Sequence, residues 1–384
     1  FYGTVSARSP SARELSALGR KAFFDTRLSA SGRLACASCH DPAHDYGPPD
    51  GRAVRLGGGD GRQPGLRTVP SLRYRQTTPA FTEHYQEDDG NDSEDQGPVG
   101  GRDWDGRADS AHEQAAGPLL SPFEMANATP GAVIAALRRS GTGAAFRTAF
   151  GADVFDDDQR GWKALLWALE VFQQEPAEFY PYRSRYDDVL RGTASLTPRE
   201  AHGLAIFEDP QRGNCAACHP SGRRGGALPQ FTDYSFVAIG LPRNSHIPAN
   251  RDPAWFDLGL CGPLRGDFRG RAEYCGLFKT PSLRNAARRR VFFHNGITHS
   301  LRDAIRFYAE RDVVPGRWYP RRPDGTVRVF DDLPVSYRDN LNQDAPFGPT
   351  ADGKPRLAAQ DIDDLVAFIT TLNDAPVKPG MGGQ

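Results

Sequence analysis

The sequence predicts a mainly α-helical chain of two similar domains, each built around one covalently bound haem. Three observations predict it. Cys36-Ala37-Ser38-Cys39-His40 is a C-x-x-C-H motif, and Cys215-Ala216-Ala217-Cys218-His219 repeats it in the second half. Each copy follows a helical stretch and precedes a loop-rich middle and a closing helix. No run of about 18 apolar residues occurs, so the chain offers no candidate for a membrane-spanning helix. In a C-x-x-C-H motif each thiol bonds one vinyl group of the same porphyrin, and the adjoining histidine sits under the iron as proximal ligand. Zinc half-sites and thioredoxin-like dithiols also pair cysteines. Neither needs a histidine directly after each second cysteine.

The first domain is expected over residues 1–186. Residues 11–24 read as its opening helix, with Leu15, Leu18, Ala22 and Phe23 on one face. Ser11 followed by Glu14 makes a capping box. Residues 41–79 are loop-rich, and residues 86–96 form an acidic run that reads as a solvated loop or as a docking surface. A helix is expected over 130–139. A second runs from Trp162 to Phe172, and a joint rich in proline and tyrosine follows from Pro176 to Tyr186. The second domain, 187–384, repeats the plan. Pro198 to Phe207 precedes its haem motif, and a long loop region runs to Pro281. Ser300 to Glu310 carries Leu301, Ala304, Ile305 and Tyr308 on one stripe. Ala358 to Leu372 closes the chain with Ile362, Leu365, Val366 and Ile369 inward. That order is the order of a cytochrome c domain, met twice.

The 384 residues are enough for two domains of ordinary size. A net charge of -1 gives no reason to expect nucleic acid or an anionic membrane surface as partner. Glycine (41) and proline (31) are plentiful, which suits short helices joined by long loops. The chain opens at Phe1 with no start methionine, as expected of a mature exported form. Covalent haem attachment outside the cytoplasm then points to the periplasm. Cys261 and Cys275 are left over from the haem motifs. In an oxidising compartment they are expected to pair, the alternative being two free buried thiols.

Electron-transfer cytochromes c close the haem iron with methionine. The only methionines are Met125 and Met381, and Met381 lies in a Gly-Pro-rich tail. Tyr308 stands where a cytochrome fold would place the second ligand of the second haem. A core tyrosine with a satisfied hydroxyl is the other reading of it, and His294 and His299 are rival ligands.

Several longer motifs carry a resemblance. Gly101-Arg-Asp-Trp-Asp-Gly-Arg-Ala, Gln114, Gly117-Pro118, Pro122-Phe-Glu-Met125, Phe278-Lys-Thr-Pro-Ser-Leu-Arg-Asn285 and Phe293-His-Asn-Gly296 resemble the bacterial dihaem cytochrome c peroxidase family. The likeness runs from about Leu15 to Leu372. In those peroxidases a methionine fourteen positions after the histidine of F-H-x-G binds the electron-transfer haem; here that position is Tyr308, as in the MauG-like branch. Most of them also carry a histidine after the first haem motif, and Pro48–Tyr74 has none. The resemblance therefore implies a five-coordinate first haem, open to hydrogen peroxide, and a second haem held by His219 and Tyr308.

It also implies roles. Glu124 matches the distal acid–base, Gln114 and Pro118 wall the distal pocket, and Trp104 matches the indole between the haems. Met125 reads as packing. Peroxide would then produce a state with both irons at Fe(IV). A calcium ion between the haems would be held partly by the carbonyls of Arg289 and Val291, with Tyr74 standing where the family has an asparagine ligand. MauG passes oxidation out through a surface tryptophan two positions before the second haem motif; here that position is Gly213. The insertion between Phe81 and Trp104 is similar to the MbnH branch, which converts a tryptophan of a copper-binding partner, MbnP, to kynurenine. Two other functions remain in play: a peroxidase that draws electrons from a small cytochrome, and a non-enzymatic electron carrier with both haems six-coordinate.

Overall fold

A computed structural model describes residues 8–86 and 95–376. Most of the acidic run and Met381 lie outside the described residues. The architecture is mostly helical, with two short antiparallel strand pairs, and no described helix is long and apolar enough to cross a membrane.

Helix α1 (Ala12–Phe23) starts where its sequence says it should. Ser11 Oγ accepts from the Glu14 amide at 3.3 Å, and the Glu14 carboxylate accepts from the Ser11 amide at 2.8 Å. It buries Leu15, Leu18, Ala22 and Phe23. Helices α2 (Ala111–Leu120), α3 (Pro130–Arg139), α4 (Gly141–Phe150) and α5 (Asp158–Phe172) complete the first half. Helix α1 crosses α5 at Gly19, where a Cβ would stand 1.9 Å from the Ala168 carbonyl oxygen. Only glycine permits that approach.

The short α6 (Pro176–Phe179) and α7 (Arg185–Leu190) form the joint. The second half then repeats the crossing. Helix α8 (Pro198–Glu208) meets the closing helix α10 (Ala359–Thr370) at Gly203, where a Cβ would lie 2.0 Å from the Asp364 carbonyl oxygen. Between them, α9 (Leu301–Glu310) begins at Ser300, whose Oγ accepts from the Asp303 amide at 3.0 Å. The sequence reading lacks α2, the short α6 and α7, and it also lacks α4. Gly141 and Gly143 in its first turn are poor helix formers, and burial of Phe146 and Phe150 holds it in place.

The largest hydrophobic clusters part at the joint. One gathers Leu15 through Phe179, the other Tyr186 through Leu372. Polar groups cross between them. Arg284 and Asp187, both fully buried, pair at 2.8 and 3.1 Å, and the guanidinium lies over the rings of Tyr74 (4.6 Å) and Tyr182 (4.7 Å). Strand β1 (Leu56–Gly57) pairs with β2 (Gln63–Pro64), and β3 (Phe236–Val237) with β4 (Phe278–Lys279).

Cys261 and Cys275 are joined across a sequence separation of 14, with Cα atoms 4.7 Å apart, and so tie down the loop ahead of β4. Denatured, unreduced protein with its haems attached should therefore show no free thiol, and two should appear after reduction. Cys261→Ala with Cys275→Ala should lower unfolding free energy by about 2–4 kcal/mol. Two reactive thiols before reduction would contradict the bridge.

Candidate functional site

The first C-x-x-C-H motif coils into a single tight turn. The amide of His40 donates to the Cys36 carbonyl at 2.9 Å, which sets both thiols and the imidazole at one wall of a cavity of about 420 Å³. That is an ordinary size for a ligand site. Trp104, Gln114, Pro118 and Glu124 line the same cavity. So every chemical residue expected in the first half meets in one place. His40 is the one histidine among the lining residues, since His44 is paired with Asp41 at 2.7 Å instead.

The two motif histidines are prepared alike. His40 Nδ1 faces the Tyr46 carbonyl at 3.1 Å and His219 Nδ1 faces the Phe231 carbonyl at 2.8 Å. A carbonyl only accepts, so each Nδ1 carries the proton and each Nε2 keeps its lone pair for a metal. Burial pulls His40 down to about 4 and lowers His219 as well, which keeps both rings neutral. Burial also pushes the thiols of Cys36, Cys215 and Cys218 up to about 12 and raises Cys39. Neutral buried thiols make poor redox nucleophiles. A zinc site needs a fuller ligand set, and no described group of three or more His, Cys, Asp or Glu residues could hold a metal ion.

The cavity fits a haem for a further reason, which is charge. Arg55, Arg75, Arg102 and Arg107 line it. Arg55 Nε and Arg102 Nε are buried without a hydrogen-bond partner. Burial, aided by the Arg75 guanidinium, pulls Arg102 down to about 10. Burial holds the Lys279 ammonium well below its usual range too. The nearby acids are already committed: Asp103 to Arg107 at 3.0 Å, Asp105 to Arg67 at 2.7 Å and to Arg107. Arg55 pairs with Asp50 at 2.5 Å, which leaves Arg75 and Arg102 as the lining arginines with no carboxylate partner among the described residues, and a buried cation without a counter-ion is costly. A flat apolar ligand bearing carboxylates answers that cost. The sequence reading missed this cluster. Its members lie far apart along the chain and look like any of the 47 Lys and Arg residues.

Glu124 follows the end of α2. Its amide donates to the Ser121 carbonyl (3.0 Å) and its carbonyl accepts from the Gly58 amide (2.8 Å). The carboxyl opens onto the cavity but is walled by protein elsewhere, and that enclosure raises its pKa. Gln114 Nε2 donates to Asp103 at 3.3 Å, and Pro118 sits inside α2 against the cavity. Met125 is buried in the first core.

Trp104 is gripped from both halves. Its indole Nε1 donates to the Thr68 carbonyl at 2.8 Å, and its carbonyl accepts from the Lys279 amide at 2.9 Å. Its ring meets the edge of His294 at 6.4 Å. His294 is stacked on Phe278 at 3.4 Å, and burial pulls it down to about 3. His299 is exposed. Tyr308 packs on α9 among Phe293 (5.9 Å) and Phe347 (5.4 Å). Burial raises its phenol, and the thiols of Cys218 and Cys215 lie close enough to raise it further. Of the three candidates, then, Tyr308 is the one beside the second motif. Its phenolate forms only against a cation.

The chain is similar to known proteins. The family model described as "Di-haem cytochrome c peroxidase" matches residues 13–195. The Methylamine utilization protein MauG of Paracoccus denitrificans is 34% identical, over 98% of this chain and 93% of its own. The Cytochrome c peroxidase Ccp of Escherichia coli is 25% identical, over 96% of this chain and 60% of its own. Among solved structures, the diheme peroxidase BthA of Burkholderia thailandensis superposes with a TM-score of 0.84 at 38% identity, covering 96% of this chain and 88% of that one. A MauG-like protein associated with microbial copper homeostasis shares the fold, with a TM-score of 0.66 at 24% identity and coverage of 96% and 91%.

Two outcomes follow from the geometry. Ferric protein should show one high-spin haem and one low-spin His/Tyr haem by electron paramagnetic resonance; two low-spin signals would reject Tyr308 ligation and an open first site. Glu124→Gln should slow the reaction with peroxide by about 10²–10⁴-fold, the usual share of a general acid–base. Because enclosure raises the Glu124 pKa above its ordinary 4.5, the native rate should fall as pH drops through that raised value and the carboxylate is lost. The variant should lose this dependence in stopped-flow measurements.

Proposed function

The chain belongs to the di-haem cytochrome c peroxidase family and is a haem-dependent, peroxidase-type oxidoreductase of its MauG-like branch; from that premise we propose that it uses hydrogen peroxide to oxidise a tryptophan of a secreted, copper-binding, MbnP-like partner to kynurenine. The observation that carries this reading is Tyr308. A phenol oxygen beside the second motif, a hard anionic ligand once deprotonated against a cation, stands where the family's peroxidases have methionine and suits the storage of oxidising equivalents more than the relay of electrons. Two c-type haems, at Cys36, Cys39 and His40 and at Cys215, Cys218 and His219, supply the redox chemistry with peroxide as oxidant.

The chain's own residues do the rest. Glu124 accepts a proton from one peroxide oxygen and returns it to the other. Gln114 and Pro118 narrow the space in which peroxide sits. Trp104 couples the centres, held as it is by one hydrogen bond from each half. Opening an indole inserts two oxygen atoms, which two peroxides supply with release of two waters, and hydrolysis of the formyl group then leaves kynurenine. The periplasm is where such a haem protein and a secreted partner would meet. The way out differs from that of MauG. At Gly213 a Cβ would come within 2.3 Å of the Ile206 carbonyl oxygen, so no side chain fits there.

The copper-binding partner rests on the likeness of the 81–104 insertion to the MbnH branch, with residues 87–94 outside the described chain. The solved MauG-like structure associated with copper homeostasis supports the fold alone. A second reading, reduction of peroxide with electrons from a small cytochrome, is favoured by the likeness to the Escherichia coli cytochrome c peroxidase.

One experiment separates the two. Peroxide and the haem-loaded enzyme should add oxygen to a tryptophan of a secreted copper protein, seen by peptide mass spectrometry. Trp104→Phe should slow that modification while both haems stay attached. Rapid turnover of reduced small cytochrome c, with every candidate partner unmodified, would establish the peroxidase reading instead.

A further inference from the structure

The family resemblance implies a calcium ion between the centres, bound partly by the carbonyls of Arg289 and Val291. The residues present do not fit it. The Arg289 side chain folds back across its own loop. Its Nη2 donates to the Val69 carbonyl at 3.1 Å and its Nε makes a long bond, 3.4 Å, to the Val291 carbonyl. One of the two expected ligand oxygens thus already faces a cation. Tyr74, at the asparagine position, is buried and committed. Its hydroxyl donates to Asp374 at 2.6 Å and accepts from the Tyr182 amide at 3.0 Å.

The acids nearby are committed too. Asp45 pairs with Arg73 (2.7 Å) and Arg288 (3.4 Å), and Asp374 takes Arg73 (3.3 Å) and Asn285 (2.8 Å) besides Tyr74. Calcium collects about 6–8 oxygen ligands, carboxylates among them. Here it would meet the partly buried Arg289 guanidinium and no uncommitted carboxylate, and like charges at close range repel.

We propose that the Arg289 guanidinium does in this protein the work of that calcium: it ties the loop before His294 to Val69 and so fixes Trp104 between the two centres. The path is short. Val69 adjoins Thr68, whose amide donates to the His294 carbonyl at 2.7 Å and whose carbonyl accepts from the Trp104 indole at 2.8 Å. Residues 68 and 69 of the first half are therefore held by the 289–294 loop of the second, and they in turn hold the indole. Arg289 is a positioning residue; it acts through Val69 and Thr68. Unlike a bound ion, it cannot be chelated away. The inference holds whichever substrate the enzyme oxidises.

Two measurements test it. Elemental analysis of the haem-loaded protein should find no stoichiometric calcium, and dialysis against EGTA should leave the ferric absorption and spin-resonance spectra unchanged. One calcium per chain would overturn the proposal, as would loss of the native spectra in EGTA. In Arg289→Ala the separation of the two haem midpoint potentials should shift, and millimolar guanidinium ion should restore it while calcium should not. Restoration by calcium, or an unshifted separation, would remove Arg289 from this role.

Discussion

The molecule depends on one buried arginine. Arg67 bonds Asp105 at 2.7 Å in its own half and both oxygens of Asp257 in the other, at 2.6 and 2.7 Å, and its guanidinium covers the Phe278 ring at 5.4 Å. Burial alone would lower its pKa, but the two carboxylates outweigh burial and raise it. Removing one member of such a network costs about 3–5 kcal/mol, because it leaves a buried charge alone. The gain here is geometry. Asp105 adjoins Trp104, and Arg265 Nη1 also holds the Asp105 carbonyl at 2.9 Å. With Lys279 on the Trp104 carbonyl and Thr68 on the indole, the segment between the halves has no slack.

Around that clamp the halves meet through charge as well as through small apolar contacts. The two main apolar clusters stay on their own sides of the joint. What crosses includes Arg67 with Asp257, Arg284 over Tyr74 and Arg289 on Val69, beside two small apolar groups, Ala53 and Val54 with Ile247 and Phe81 with Phe236 and Phe268. Arginine suits this use, being permanently charged and able to spread donors over several carbonyls and carboxylates at once. An apolar interface of the same size would hold as tightly but would not fix the direction of single side chains. Relaying electrons through an indole demands that direction.

Much of this was legible in the sequence. Helix α3 has the bounds that its sequence suggested, and α1, α8, α9 and α10 differ from theirs only at their ends, because caps and apolar stripes are local signals. The first cavity assembles the residues that the motifs named. What was not legible depends on side-chain direction. Helix α4 is held by Phe146 and Phe150 against weak local propensity. The arginines around the cavity carry no signal, since an arginine on the surface and one facing a haem carboxylate read alike. Arg289 is the sharpest case. Its carbonyl was expected to bind calcium, and nothing in sequence spacing tells that its side chain returns to the Val291 and Val69 carbonyls. The domain boundary and the roles of the site residues still rest on the family likeness and on the proposals above.

The depth at which the haem-motif cysteines sit bears on how this protein is made. In the folded chain burial pushes the thiols of Cys36, Cys215 and Cys218 up to about 12, which leaves them neutral. A neutral thiol is slow to react. Bonds to haem would therefore form faster on the open chain, before the helix crossings at Gly19 and Gly203 close. Folding then proceeds around a cargo already in hand.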